Sequence, residues 1–443
     1  MRDHSKHIEL TREEAVNRIL AASGFMDEAR ELPVEMVALG EGFGRVLAED
    51  AVSQSDVPSC LTCLMDSIAV HWDAFEAAGE DTLPDTSDWV RGVDWEFANT
   101  GVAMPEGFDT AVVVEHVEIS EDEQHVKVNA APSKRFAGTQ PAGSRHKRGD
   151  VLACAGQTLT PDLAARIASG NNATVLVVRK PRVAFVPTGN ELVPPGAPMD
   201  EFHGRRPAGY GRTFESNSIL VRGKAEAWGA VFAPFDIVPD SRDAIREALA
   251  RAVRCADIVV LNAGSSKGSD DWSCEVMEEM GEIICHETNH GPGHHSSFAL
   301  IEGTPVVGIS GPPAGATFTL DFYLRPLVRA YLGLDPIVPK TAARLVADFA
   351  DKSGLGHKHG GAHHAHGGSK PVGEKRPREN KKAFFSIKLI KAEYGADGVL
   401  EATPIPGKPG GPGTEEANAF CMLSSVDGNT PPVAGDVIEI EFR

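Results

Sequence analysis

Ala256-Asp257-Ile258-Val259-Val260-Leu261-Asn262-Ala263-Gly264-Ser265-Ser266-Lys267-Gly268-Ser269-Asp270-Asp271-Trp272 is the stretch on which the fold turns. Ile258 to Leu261 is a short β-branched apolar run, which suits a strand buried on both faces. Small residues, glycines, hydroxyls and one lysine follow at once, and Trp272 leads into apolar positions at helical spacing, Val276, Met277 and Met280. Strand, glycine-rich turn and helix together aim backbone N–H groups and a helix N-terminus at an anion. Gly264 and Gly268 would admit a phosphate-like group, Ser266 would donate to it and Lys267 would add charge. The spacing is neither a Walker A motif nor a dinucleotide fingerprint, so an ordinary strand-to-helix turn fits it as well.

Outward from this stretch, strands alternate with helices from about 181 to 333. Val183-Ala184-Phe185-Val186 is a buried-type strand that runs into Pro187-Thr188-Gly189-Asn190-Glu191. A Pro/Gly-rich excursion from Pro194 to Thr213 leads to the polar cluster Glu215-Ser216-Asn217-Ser218, which opens a helix. Phe232 to Ile237 reads as a strand, and Asp240-Ser241-Arg242-Asp243 caps the next helix. Val306 to Ile309 is a further strand, followed by Ser310–Gly315 and a helix around Phe318–Ala330. This pattern predicts a doubly wound α/β domain, in which ligands sit beyond the carboxyl ends of the strands. Thr188–Glu191, Asn262–Ser269 and Ser310–Gly315 all follow strands and should converge on one rim.

The rest of the chain reads as scaffold and β structure. Thr11-Arg12-Glu13-Glu14 is a capping box before a helical face, and Val34–Leu39 and Val46–Ala48 read as strands. Thr160-Pro161-Asp162 opens a second helix. Residues 51 to 139 carry short alternating strands, among them one from Thr110 to Glu115, with Asp66 at a loop–strand junction. Cys60 and Cys63 form a lone C-x-x-C, half of a zinc site at most. Beyond 334, strands of a small β domain surround Ser353–Ser369, whose five histidines lie among glycines. Such a tract reads as a loop with weak metal affinity.

Composition narrows the function. With 43 basic and 63 acidic residues in 443, the formal charge is −20. That excludes general nucleic-acid binding and docking on anionic membranes, so an anionic ligand must be held by local geometry. No run of about 18 apolar residues predicts a membrane span. The seven scattered cysteines and the lack of an apolar leader suit a reduced, cytoplasmic protein.

The order of these motifs resembles the molybdopterin molybdenumtransferase family, the MoeA and gephyrin E-domain proteins. Met65-Asp66-Ser67-Ile68-Ala69 is similar to the family's Met-Asp-Gly-Tyr-Ala, and Thr100-Gly101 to its Thr-Gly. Thr188-Gly189-Asn190-Glu191-Leu192 resembles Thr-Gly-Asp-Glu-Leu, with Asn190 in place of the Asp. Glu215-Ser216-Asn217-Ser218 resembles Asp-Ser-Asn-Ser, and Asn262–Asp271 keeps Gly264, Ser266, Gly268 and Asp271 of the central motif. Gly291-Pro292-Gly293-His294-His295 departs from Lys-Pro-Gly-Lys-Pro, and Ile309-Ser310-Gly311-Pro312-Pro313 from Leu-Pro-Gly-Asn-Pro.

The resemblance implies a multidomain α/β and β architecture. An elongated scaffold domain would take 1–50 and 140–180, and a β-rich insertion 51–139. A doubly wound α/β domain like the molybdopterin adenylyltransferases would take 181–333, and a β-barrel-like domain with the His-rich loop 334–443. It implies transfer of molybdenum from molybdate to adenylylated molybdopterin with release of AMP, assisted by Mg²⁺. Asp66, Glu191 and Asp271 would be catalytic and hold Mg²⁺. Thr100, Thr188, Gly189, Ser216, Asn217, Asp240, Gly264, Ser266, Lys267, Gly268 and Gly311 would bind the cofactor. It implies a homodimer, with a molybdopterin adenylyltransferase as a conceivable partner. The substituted positions leave a second reading, a non-catalytic or repurposed paralogue that binds molybdopterin or another anionic ligand.

Overall fold

The computed structural model describes residues 8–79, 82–197, 213–263, 272–349, 383–424 and 430–443. The chain divides into two compact units, Met1–Leu32 with Arg179–Arg443, and Pro33–Val178. The glycine-rich turn after Ala263, with Gly264, Ser266, Lys267, Gly268 and Asp271, lies outside the described residues, as does the histidine tract.

In the Pro33–Val178 unit, Val34–Ala38 pairs antiparallel with Thr174–Val178, and Ala51–Val52 with Val151–Ala153. The helix Pro161–Ser169, capped by Thr160, lays Ala164 and Ile167 on a core with Leu39, Leu47, Leu152 and Val177. Val46–Ala48 is not a strand; Val46 and Leu47 make only isolated bridges, to Thr158 and Val177. A second core gathers Ile68, Val70, Phe75, Trp95 and Val112 behind the sheet Trp95–Ala98, Ser67–Val70, Thr110–Val113. The last of these strands stops at Val113, and Glu115 falls in a single 3₁₀ turn, Val114–His116.

The larger unit carries a six-stranded sheet. Its order is Val231–Pro234, Arg182–Val186, Ile258–Ala263, Thr304–Ser310, Ser297–Ile301, Glu282–Cys285. The first four strands are parallel and the last two antiparallel. Val183 to Val186 and Ile258 to Leu261 are fully buried, because helices cover both faces. Ile245, Leu249 and Ala252 of the helix Arg242–Cys255, with Val276 and Met277 of Ser273–Met280, pack on Ala184, Val186, Val259, Leu261 and Val306. The strand after the helix Asn217–Ala227 is Val231–Pro234, which ends short of Ile237.

From Arg182–Val186 the chain moves outward to the edge strand, then back across to Ile258–Ala263 on the other side. That reversal opens a crevice between Arg182–Val186 and Ile258–Ala263 at their carboxyl ends. The final helix is not continuous: Pro313–Thr319 and Arg325–Tyr331 flank a π turn, Leu320–Leu324. Pro326 has no N–H for the regular ladder, and the wider turn accommodates that loss.

The remaining strands close on themselves. Phe385–Tyr394 pairs with Leu400–Ile405, then Thr341–Leu345, Val437–Phe442 and Ala419–Ser424 follow, and the last returns to Phe385–Tyr394. Closure leaves no long unpaired edge and encloses Ala343, Leu345, Ile390, Ala402, Ala419 and Ile440. No helix among the described residues is long and apolar enough to cross a membrane.

Candidate functional site

At the carboxyl ends of the parallel strands, three loops and one helix end are joined by hydrogen bonds. The Thr188 hydroxyl donates to the Asn262 carbonyl at 2.5 Å, and Asn262 Nδ2 donates back to the Thr188 carbonyl at 3.2 Å. Asn217, the first residue of its helix, donates from Nδ2 to Asn262 Oδ1 and to the Gly311 carbonyl, both at 2.9 Å. Thr188, Asn217 and Asn262 are all buried, while Ser216 and Gly311 are exposed. The crevice is therefore braced by amides and a hydroxyl with no formal charge, which spares it the cost of burying ions.

The bracing leaves polar atoms over. Asn217 Oδ1 and Ser310 Oγ are buried and have no hydrogen-bond partner among the described residues. Buried polar atoms are nearly always paired, so the Asn217 oxygen at the crevice is open to a donor from outside the described residues, while Ser310 Oγ packs against Gly315. The helix Asn217–Ala227 points its N-terminus here, and Ser216 does not cap it with its side chain. Glu215 accepts from the Ser218 N–H at 2.9 Å instead.

The Thr188–Glu191 loop is held on its other side too. Asp240 Oδ2 accepts from the Asn190 N–H at 2.8 Å, and Asn190 Oδ1 accepts from the Asp240 N–H at 3.2 Å. Gly189 has φ +155°, and a Cβ there would lie 2.6 Å from Leu192 Cγ and 3.0 Å from Glu191 Oε2. A side chain at 189 would collide first with Leu192.

Asp66 and Thr100 belong to the Pro33–Val178 unit. Asp66 is exposed, and its Oδ1 accepts from the Thr100 N–H at 3.0 Å and the Thr100 hydroxyl at 2.9 Å. These two donors, the backbone one first, hold the carboxyl below the usual aspartate range. Cys60 and Cys63 are free thiols; Cys60 is exposed, and buried Cys63 donates to the Met65 carbonyl at 3.0 Å.

Among the described residues no three of His, Cys, Asp and Glu come together as a metal-holding group. Asp271 lies outside those residues. Asn262 and Asn190 stand in the sequence only as members of longer motifs with no role of their own, although both organise the rim. The available signal was one polar residue at the end of each buried strand, where a side chain has left the core but not yet reached water.

Two family models match this chain. Residues 10–170 fit the MoeA N-terminal region (domain I and II), and residues 184–330 fit a probable molybdopterin binding domain. The chain belongs to the MoeA family. A molybdopterin molybdenumtransferase of Staphylococcus aureus (strain COL) is 26% identical over 351 residues, 76% of this chain and 79% of that protein. Another, of Haemophilus influenzae, is 27% identical over 325 residues, 70% of this chain and 78% of its own length. A solved MoeA structure from Pyrococcus horikoshii superposes with a TM-score of 0.69 at 21% identity, over 98% of this chain and 99% of that one. The crevice lies in the part of this MoeA-family chain that fits the molybdopterin-binding model.

Proposed function

We propose that this MoeA-family chain inserts molybdenum, taken from molybdate, into adenylylated molybdopterin and releases AMP. The observation that carries the reading is the braced crevice at the strand reversal. Thr188, Asn217, Asn262 and Gly311 meet there beside a helix N-terminus, and Asn217 Oδ1, unpartnered among the described residues, can accept from a pterin N–H. A pterin with an anionic tail suits such a place, since amide dipoles hold an anion without a cationic cluster that an acidic protein lacks. The curated relatives' name points to the same reaction.

In this reading Thr188, Gly189, Ser216, Asn217, Asp240 and Gly311 bind the substrate, with Gly264, Ser266, Lys267 and Gly268 completing the anion site. Asp66, set by Thr100, and Glu191 and Asp271 act as the reacting carboxylates. A divalent cation would assist the reaction by neutralising charge on the phosphoanhydride. The working form is a cytoplasmic homodimer of four-domain chains, with boundaries near 50, 139, 180 and 333, that receives its substrate from a molybdopterin adenylyltransferase.

The test is molybdate-dependent AMP release by purified protein given adenylylated molybdopterin. Wild type should release AMP, and Asp66→Ala should lose most of that rate while still binding the substrate. Wild type that neither binds nor cleaves the adenylate would end the proposal.

A further inference from the structure

We propose that His290 is a positioning residue, which as its Nδ1–H tautomer holds the Gly291–His295 turn between the π turn and one wall of the crevice. His290 is fully buried, and both ring nitrogens have partners. Nδ1 lies 3.3 Å from the Pro292 carbonyl, and Nε2 lies 2.8 Å from the Tyr323 hydroxyl and 3.2 Å from that of Thr288. A carbonyl only accepts, so Nδ1 carries the proton and Nε2 accepts from the Tyr323 hydroxyl. Phe322 meets the ring edge-on and Tyr323 stacks along it, with centroids at 5.1 and 5.9 Å. Burial first, then the nearby Arg12 charge, holds the His290 pKa down to about 3, and burial raises that of Tyr323. The link therefore keeps one protonation state throughout the neutral range.

The turn is pinned on its other side as well. The Thr288 N–H donates to the His294 carbonyl at 2.8 Å and closes it. Gly293 has φ +104°, and a Cβ there would lie 3.2 Å from the Gly315 carbonyl and 3.3 Å from both His290 Cε1 and Thr319 Oγ1. Backbone therefore meets backbone where the turn crosses the helix Pro313–Thr319. The Ser296 hydroxyl donates to the Gly293 carbonyl at 2.6 Å and sits 2.6 Å from the Thr319 hydroxyl. That helix begins two residues after Gly311, whose carbonyl accepts from Asn217 in the crevice. A turn set free at His290 would loosen this wall.

The effect on turnover rests on the proposed reaction; the hold on the turn does not. Three variants of the full-length chain separate the two ring nitrogens. His290→Asn puts an amide N–H at the Nδ1 position but is too short for the Tyr323 hydroxyl. His290→Gln reaches that hydroxyl with Oε1, and Tyr323→Phe removes the hydroxyl alone. Hydrogen exchange is read by mass spectrometry on peptides covering 290–296. It should run about tenfold faster in His290→Asn and Tyr323→Phe than in wild type, the size expected when a buried hydrogen bond is lost. His290→Gln should stay close to wild type. The same two loosened variants should lose kcat of AMP release with KM little changed, because a shifted wall spoils the geometry of the reacting complex, and His290→Gln should keep it. In ¹⁵N spectra of histidine-labelled protein, the signals that vanish in His290→Gln should show a protonated Nδ1 and a bare Nε2. They should not titrate between about pH 5 and 8.

Wild-type exchange in both His290→Asn and Tyr323→Phe would overturn the proposal. So would a His290→Gln turn as loose as that of His290→Asn, or a His290 signal with its proton on Nε2. Tyr323→Phe, which removes a single oxygen, carries the test if His290→Asn does not fold. If the exchange pattern holds and wild type releases no AMP, the hold on the turn stands and the proposed reaction falls. If wild type releases AMP and the loosened variants keep its kcat, the positioning role falls while the reaction stands.

Discussion

Asp66 shows how much a single side chain can be tuned without burial. It is exposed, yet two donors from Thr100 favour its charged form. Its folded pKa lies below its unfolded value, so the carboxylate's contribution is complete above the ordinary aspartate range. It is lost only as pH falls through the depressed folded value. Thr100→Val removes the hydroxyl donor and should move the Asp66 titration upward. The check is an NMR titration of Asp66, with the acid limb of AMP release expected to move in the same direction. An unmoved Asp66 would show that the backbone N–H alone sets its acidity. The aspartate and its threonine were both visible in the sequence as motif residues. Their bond was not, because it joins positions 34 residues apart.

At the scale of elements, the π turn Leu320–Leu324 decides where one charge goes. Asp321 reaches back to Lys224 on the helix Asn217–Ala227 in a largely buried ion pair, and Asp321 Oδ2 has no partner among the described residues. Burial lowers the Lys224 pKa, and the neighbouring Asp321 opposes that shift. Removing one partner strands the other charge. Asp321→Asn should therefore destabilise the protein by about 3 kcal/mol, and Lys224→Met/Asp321→Leu by clearly less. Equilibrium denaturation of the three proteins checks this, and equal losses would mean that packing rather than charge is at stake. The sequence predicts one helix across Phe318–Ala330 here. It shows the proline that interrupts the helix but not the compensation, since a π turn is chosen by what its side chains meet.

For the whole molecule, the excess of acidic residues governs how ligands arrive. A chain of net charge −20 repels anions at long range, while the attraction proposed for the crevice would act only nearby. Raising ionic strength from about 10 mM to about 100 mM shortens the screening length from roughly 30 Å to roughly 10 Å. Association of the anionic substrate should accelerate over that range, measured by stopped-flow fluorescence. Marked slowing would mean that a basic surface steers it instead. Deleting Ser353–Ser369 should leave AMP release unchanged if the histidine tract takes no part; a large loss would give that tract a role.

The alternation of apolar runs, caps and glycine-rich turns determined by itself the doubly wound parallel part of the sheet, while the antiparallel strands Ser297–Ile301 and Glu282–Cys285 came only with the structure. Val183–Val186 and Ile258–Leu261 have no polar edge to show to water, and only a strand covered on both faces tolerates that. The motif order likewise pointed to the family. The barrel of the last strands was already implied by the resemblance, whereas tertiary structure alone decided that Asn262 braces Thr188 and Asn217 and that Asn190 and Asp240 clasp each other. Those outcomes depend on which hydrogen-bonding groups meet across 45 to 74 residues of chain. Local pattern says which groups must find partners, and only the folded chain says which partners they find.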